Sequence, residues 1–276
     1  MATRRGLILG GGALAATGPA RADDGLVLNG RWVQGGFAMG RTWPRALIFV
    51  DGESLTTASS GGLFVVGFDR DAPASVQIEA RSGPTTLSRT LTIAPGHFPS
   101  STINGLPPLT IEPSDPELLA RIRREVALKA EGYASRADGD DFKGGFVWPL
   151  DSYRVTSRWG GQRVLNGAPA RPHYGIDLAA PQGSPIRAPA AGTVTFSRSA
   201  MHFEGGLVLI DHGQGLITAY LHQSRIDVVA GQRLARGEPI GRVGMTGRAT
   251  GPHLCWRMRW RDRNLDPSLM IAVTSP

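Results

Sequence analysis

The chain has 276 residues, one cysteine and a formal charge of +7, from 30 basic and 23 acidic side chains. A single cysteine rules out an internal disulfide. A surplus this small, without Lys/Arg clusters interleaved with aromatics, argues against nucleic acid as a partner.

The chain opens with Arg4-Arg5 ahead of an apolar, small-residue run from Gly6 to Thr17, and Ala20-Arg21-Ala22 then supplies small residues of the kind a signal peptidase cuts beside. Residues 1–22 read as an export signal that is too short for a membrane span with stop-transfer flanks, so the mature form is expected in the periplasm without a transmembrane anchor. The paired arginines suggest the twin-arginine route. Removing the segment takes Arg4, Arg5 and Arg21 and no acid, which lowers the charge by three, to +4.

The remaining length suggests two domains. Residues 23–110 carry short apolar runs, among them Ala46–Val50, Leu63–Phe68, Val76–Ala80 and Leu87–Ile93, separated by Asp51-Gly52, Ser60-Gly61-Gly62 and Asp71-Ala72-Pro73. Short strands at this spacing with turn residues between them predict a β-sandwich, immunoglobulin-like in outline. Residues 111–144 predict a helix and a linker. Ser114-Asp115-Pro116-Glu117 reads as a capping box opening a helix to about Ala134, with Leu119, Ile122, Val126 and Tyr133 near one face, and a polar linker follows at Asp138–Asp141. Residues 145–276 show short β-like runs with Gly and Pro breaks and no helical period, which predicts an antiparallel β-rich domain. The whole chain is thus expected to be mostly β.

Chemistry-bearing residues concentrate in that last segment: His173-Tyr174-Gly175-Ile176-Asp177, then Leu221-His222, then Gly251-Pro252-His253-Leu254-Cys255-Trp256. Imidazoles, a carboxylate and a thiol are groups that bind a transition metal or move a proton. Around them run Ala188-Pro189-Ala190-Ala191-Gly192-Thr193-Val194, Asp211-His212-Gly213, Gly237-Glu238-Pro239-Ile240-Gly241 and Gly244-Met245-Thr246-Gly247. Over about residues 145–272 this resembles the lysostaphin-type, or LytM-like, zinc metalloendopeptidases of bacterial cell walls. The resemblance implies Zn2+ held by His173, Asp177 and Cys255, with His222 and His253 as catalytic histidines. Cys255 departs from the family pattern, which has histidine there, although a thiolate is a sound zinc ligand. Residues 253 and 255 share one side of a strand because side chains alternate, so one strand can present a base and a ligand together. Arg158-Trp159-Gly160 and Arg163 fall where the family carries an Arg/aromatic/Gly group near its cleft, or form a plain basic loop.

The function this implies is periplasmic, zinc-dependent endopeptidase hydrolysis of the peptide cross-links of peptidoglycan, the polymer being the principal partner. The alternative is a catalytically inactive LytM-like protein that binds cell wall or activates a murein amidase, so a cell-wall amidase or divisome protein is a second expected partner. His212 is expected to have a structural or surface role in a turn, and His97 and His202 to lie in loops away from any metal.

Overall fold

The computed structural model describes residues 25–105 and 114–276. The export signal expected over residues 1–22 lies outside the described residues. Among the described residues no helix is long and apolar enough to cross a membrane.

The first seven strands are β1 (Val27–Arg31), β2 (Phe37–Arg41), β3 (Leu47–Val50), β4 (Glu53–Thr57), β5 (Leu63–Gly67), β6 (Ser75–Ser82) and β7 (Thr85–Thr92). They form two sheets, ordered β1-β2-β5 and β4-β3-β6-β7. Strand β6 shows why: Val76, Ile78 and Ala80 are buried while Ser75 and Gln77, in the alternate positions, face solvent, the alternation of a strand with one face on a core. Strand β5 is buried along its whole length. One face looks into the sandwich, and the other meets the C-terminal half of the chain, whose Leu216, Met258, Trp260, Leu265 and Met270 belong to the same continuous core. Polar bonds cross the same junction, from Gln214 Nε2 to the Leu63 carbonyl at 2.8 Å and from the Asn264 N–H to Asp69 Oδ2 at 3.0 Å.

Strand β8 (Ser100–Ile103) leaves the sandwich and pairs in parallel with β10 (Gln162–Leu165), which also pairs with β11 (Ala168–Pro169). Between them lie helix α1 (Pro116–Tyr133) and β9 (Arg154–Ser157). The helix corrects two sequence expectations. Its N-cap is Asp115, not Ser114: the Asp115 carboxylate accepts from the N–H groups of Glu117 and Leu118, and Pro116 occupies the first turn, where its missing N–H costs nothing. Its inward face is also partly different. Leu119, Ile122 and Tyr133 are half-buried as the apolar spacing predicts, and Tyr133 packs on the Phe196–Leu209 cluster, but Val126 is 53% exposed whereas Glu125 and Gly132 are buried. Polar pairs add to the docking: Arg121 bonds Glu125 and the Ala200 carbonyl, Glu125 Oε2 accepts from the His202 N–H, and Lys129 pairs with Glu204.

The C-terminal strands are β12 (Ile176–Ala179), β13 (Pro185–Arg187), β14 (Gly192–Met201), β15 (Gly205–Asp211), β16 (Leu216–Gln223), β17 (Arg225–Ile226), β18 (Arg233–Leu234), β19 (Pro239–Arg242), β20 (His253–Trp260) and β21 (Arg263–Leu265). They build one large antiparallel sheet, ordered β18-β14-β15-β16-β20-β12-β9 with β21 on β20, and a small one, β13-β19-β17. One face of the large sheet packs on the small sheet through Leu178, Ile210, Tyr220, Leu254 and Trp256 against Ile186, Ile240 and Val243. The other carries Leu207, Leu209, Ile217, Leu221 and Cys255. Trp256 and Trp260 are fully buried, so they serve the core and do not wall a cleft. His212 is fully buried as well, and is structural rather than a surface residue.

Candidate metal centre

The sheet brings five sequence-distant side chains together because β20 lies between β12 and β16. Asp177 on β12 stands directly opposite Cys255 on β20, and Leu221 on β16 stands opposite the same cysteine. His173 enters from the loop ahead of β12. That loop is fixed by backbone bonds from the Gly160 N–H to the His173 carbonyl at 2.8 Å and from the His173 N–H to the Gly161 carbonyl at 2.9 Å. Trp159 buttresses it, packing edge-on to Phe98.

Ligating atoms of His173, Asp177 and Cys255 all lie within 4.8 Å of one another. His173 Nε2 is 3.2 Å from Asp177 Oδ1 and 3.4 Å from Cys255 Sγ. Ligand atoms around a tetrahedral zinc are separated by about 3.3–3.8 Å, given bonds of about 2.0–2.3 Å. Asp177 Oδ1 is buried with no hydrogen-bond partner, since His173 Nε2 is left unprotonated by the bond its Nδ1 makes to Ser157. A buried carboxylate oxygen with no donor is expensive unless a cation meets it, so the donor set fits a zinc ion.

Hydrogen bonds orient all three imidazoles the same way. His222 Nδ1 meets the Thr246 carbonyl and His253 Nδ1 meets the Gly251 carbonyl, each at 2.8 Å. A carbonyl only accepts, so each Nδ1 carries the proton and Nε2 is left for the cluster. His173 Nδ1 likewise has a partner, Ser157 Oγ at 3.0 Å, which leaves its Nε2 as the ligating nitrogen. The rings of His222 and His253 lie 4.7 Å apart, and His253 Nε2 is 3.8 Å from Asp177 Oδ1.

His222 reaches this position through a bulge. Gly206 faces Gln223 and Val208 faces Tyr220, so β16 spends an extra residue at Leu221-His222, and His222 takes the left-handed φ of +66°. Regular alternation would turn its ring away from the face of Leu221 and Cys255, and the bulge re-aims it. Left-handed backbone costs a non-glycine residue about 1–2 kcal/mol, a strain that such sites tolerate.

Burial pushes His222 down to about 4, against the raising effect of its bond to Thr246, and it likewise lowers His173. Both rings therefore present neutral nitrogen at ordinary pH. Burial would raise the Asp177 carboxyl, but its contacts with His173, His253 and the Cys255 thiol outweigh it and hold it down to about 2. The Cys255 thiol is pushed up to about 12 by burial, so a metal must displace its proton on binding.

The five residues named from sequence thus meet in one place. Of the basic loop residues, Arg163 comes close, its Nη2 3.7 Å from Asp177 Oδ2, while Arg158 is exposed. His97 is exposed and His202 sits beside α1. Sequence reasoning missed Arg257, whose Nε donates to Cys255 Sγ at 3.4 Å. Its signal was its phase, two residues beyond Cys255 on the same strand.

Comparisons agree with this geometry. Residues 171–267 match the model of Peptidase family M23. A crystal structure of a Pseudomonas aeruginosa protein described as a peptidase M23 superposes with a TM-score of 0.68 at 31% identity, over 87% of this chain and 95% of that one. The DD-carboxypeptidase/endopeptidase Mpg of Neisseria meningitidis is 40% identical over 135 residues, 49% of this chain and 31% of that protein. The peptidoglycan DD-endopeptidase ShyA of Vibrio cholerae is 38% identical over 140 residues, 49% of this chain and 32% of that protein. The match thus spans about a third of the length of these curated relatives.

Proposed function

The chain belongs to peptidase family M23, and from that premise we propose that it is a zinc-dependent endopeptidase of the periplasm that hydrolyses peptide cross-links of peptidoglycan. The observation that carries the reading is the buried Asp177 Oδ1, which has no hydrogen-bond partner and faces His173 Nε2, with Cys255 Sγ beside them and two Nε2-free histidines adjacent. The cell-wall substrate is supported by the two relatives above, whose names describe endopeptidases. The compartment is supported by the apolar run and small-residue site of residues 6–22.

His173, Asp177 and Cys255 would hold zinc, which supplies when bound a Lewis acid and a water whose pKa falls towards about 7. Asp177 and Cys255 are fixed by being cross-strand partners, and His173 by Ser157 and the Gly160/Gly161 backbone bonds. His222 and His253, each with Nδ1 pinned by a carbonyl, can accept a proton at Nε2 when neutral. Once protonated, the same Nε2 donates, to the developing oxyanion or to the departing amine. The 4.7 Å ring separation allows one of the pair to act as base while the other faces the carbonyl oxygen.

The test is to incubate the purified mature protein, after metal analysis, with purified peptidoglycan. About one zinc per chain, with new peptide ends released and abolished by chelation, is the expected result. Metal-free protein that leaves the polymer intact while stimulating an amidase would replace this reading with the catalytically inactive one.

A further inference from the structure

Resting on the zinc-site reading above, we propose that Arg257 is a positioning residue of the metal centre: its guanidinium holds the Cys255 thiolate in place and restores the positive charge that a cysteine removes where an imidazole would stand.

Arg257 lies two residues beyond Cys255 and four beyond His253 on β20, so all three side chains share one face. It pairs with Ala219 on β16, two positions along the ladder from the Leu221–Cys255 pair. Its Nε–H points at Sγ from 3.4 Å. Space is reserved for this contact at Gly175, where a Cβ would fall 2.8 Å from Cys255 Sγ and 2.9 Å from Arg257 Cγ. The backbone between His173 and Asp177 thus lies directly on the thiol and the arginine stem. Any side chain at 175 would push them away.

The charge count points the same way. A neutral imidazole, a carboxylate and a thiolate cancel a dication, whereas two imidazoles and one carboxylate leave a net positive charge on the centre. The guanidinium, always protonated, supplies that charge at the sulfur itself. A donated N–H also draws electron density from a metal-bound sulfur, so the ion remains the better electrophile.

Other charges surround Arg257. Glu204 attracts it; Lys129 pairs with Glu204 Oε1, while Glu204 Oε2 is buried without a hydrogen-bond partner. Arg163 lies by Asp177, and Arg248 feels both Arg163 and Arg257. The competing explanation is therefore that Arg257 serves Glu204 and the packing around it, not the thiolate.

A double-mutant cycle on the full chain separates the two. Zinc affinity is measured by chelator competition for the wild type, Arg257→Met, Cys255→His and the double variant, with melting of each metal-free protein as a check on folding. The expected result is a loss of about tenfold or more on removing Arg257 beside the cysteine, and less than about threefold beside the histidine. Equal losses in both backgrounds overturn the proposal while leaving the zinc site intact. A wild type without zinc overturns the zinc reading, and this inference with it. Should Cys255→His not fold, cobalt substitution gives a second readout: the sulfur-to-cobalt charge-transfer band should move to lower energy in Arg257→Met, and an unmoved band overturns the proposal.

Discussion

At the scale of single residues, the proposed function divides the site into groups that would hold an ion and groups that would move a proton, and substitution should separate them. His173→Ala and Asp177→Ala remove ligating atoms and should strip zinc from the purified protein. His222→Ala and His253→Ala should keep zinc nearly unchanged and lower hydrolysis at least a hundredfold; metal analysis beside a peptide-release assay reads both. Loss of zinc in His253→Ala would mean that His253, not Cys255, supplies the third ligand. Cys255 is open to a chemical test as well. The residue is 1% exposed, and its sulfur lies 3.4 Å from both His173 Nε2 and Arg257 Nε. A coordinated thiolate is covered and a poor nucleophile, so bound zinc should slow alkylation of Cys255 and chelation should restore it, while Cys255→Ser should lose most of its zinc. Equal alkylation rates with and without metal, together with intact zinc in the serine variant, would remove Cys255 from the ligand set. His173, Asp177, His222, His253 and Cys255 stand out in the sequence because they sit in motifs that resemble one family in its order. Arg257 does not, because an arginine on a strand reads equally as a solvated side chain.

At the scale of elements, helix α1 shows how closely the linking segment is seated. Gly132 has no side chain because a Cβ there would fall 2.9 Å from both Phe196 Cβ and Leu209 Cδ1. Gly132→Val should therefore force the helix off the β14–β15 hairpin, with a destabilisation of about 1–3 kcal/mol readable as a lower urea midpoint. An unchanged midpoint would show that the helix is not seated there in solution. The existence and approximate length of this helix were legible from the turn residues before it and the run of good helix formers. Its buried face was legible only in part. Apolar spacing selected Leu119, Ile122, Val126 and Tyr133, and Val126 is exposed; the surface the helix meets also offers the Ala200 carbonyl, the His202 N–H and the Glu204 carboxylate, which Arg121, Glu125 and Lys129 meet. The bulge at Leu221-His222 was equally hidden, since a strand's register depends on its partner and not on its own residues.

At the scale of the whole molecule, a buried polar network within the C-terminal half makes stability depend on pH. His212 Nδ1 meets the Ala191 carbonyl at 2.6 Å, its Nε2 meets Thr218 Oγ1 at 2.7 Å, and Tyr220 extends the chain with a 2.8 Å bond to Thr218. Burial pushes this imidazole down to about 4, against about 6.5 in an unfolded chain. The unfolded state therefore binds more protons between those values. Stability from His212 is fully present above pH 6.5 and declines as pH falls towards 4, by about 3 kcal/mol in total. Melting curves over pH 4–7 should show a shallower decline in His212→Gln than in the wild type; parallel declines would exclude His212 as the source. His173 and His222 are also lowered by burial, so the difference between the two proteins, not the wild-type slope alone, is diagnostic. The sequence by itself determined the strand-rich class, through short apolar runs between turn residues, and it nominated the five candidate site residues, through motifs whose order resembles the family. Only the tertiary structure decided how those residues meet: that Asp177 and Cys255 are cross-strand partners, that a bulge turns His222 towards His253, and that Arg257 reaches the sulfur. The physical reason is that composition and periodicity act along the chain, whereas register, burial and charge pairing are settled between strands that are distant in it.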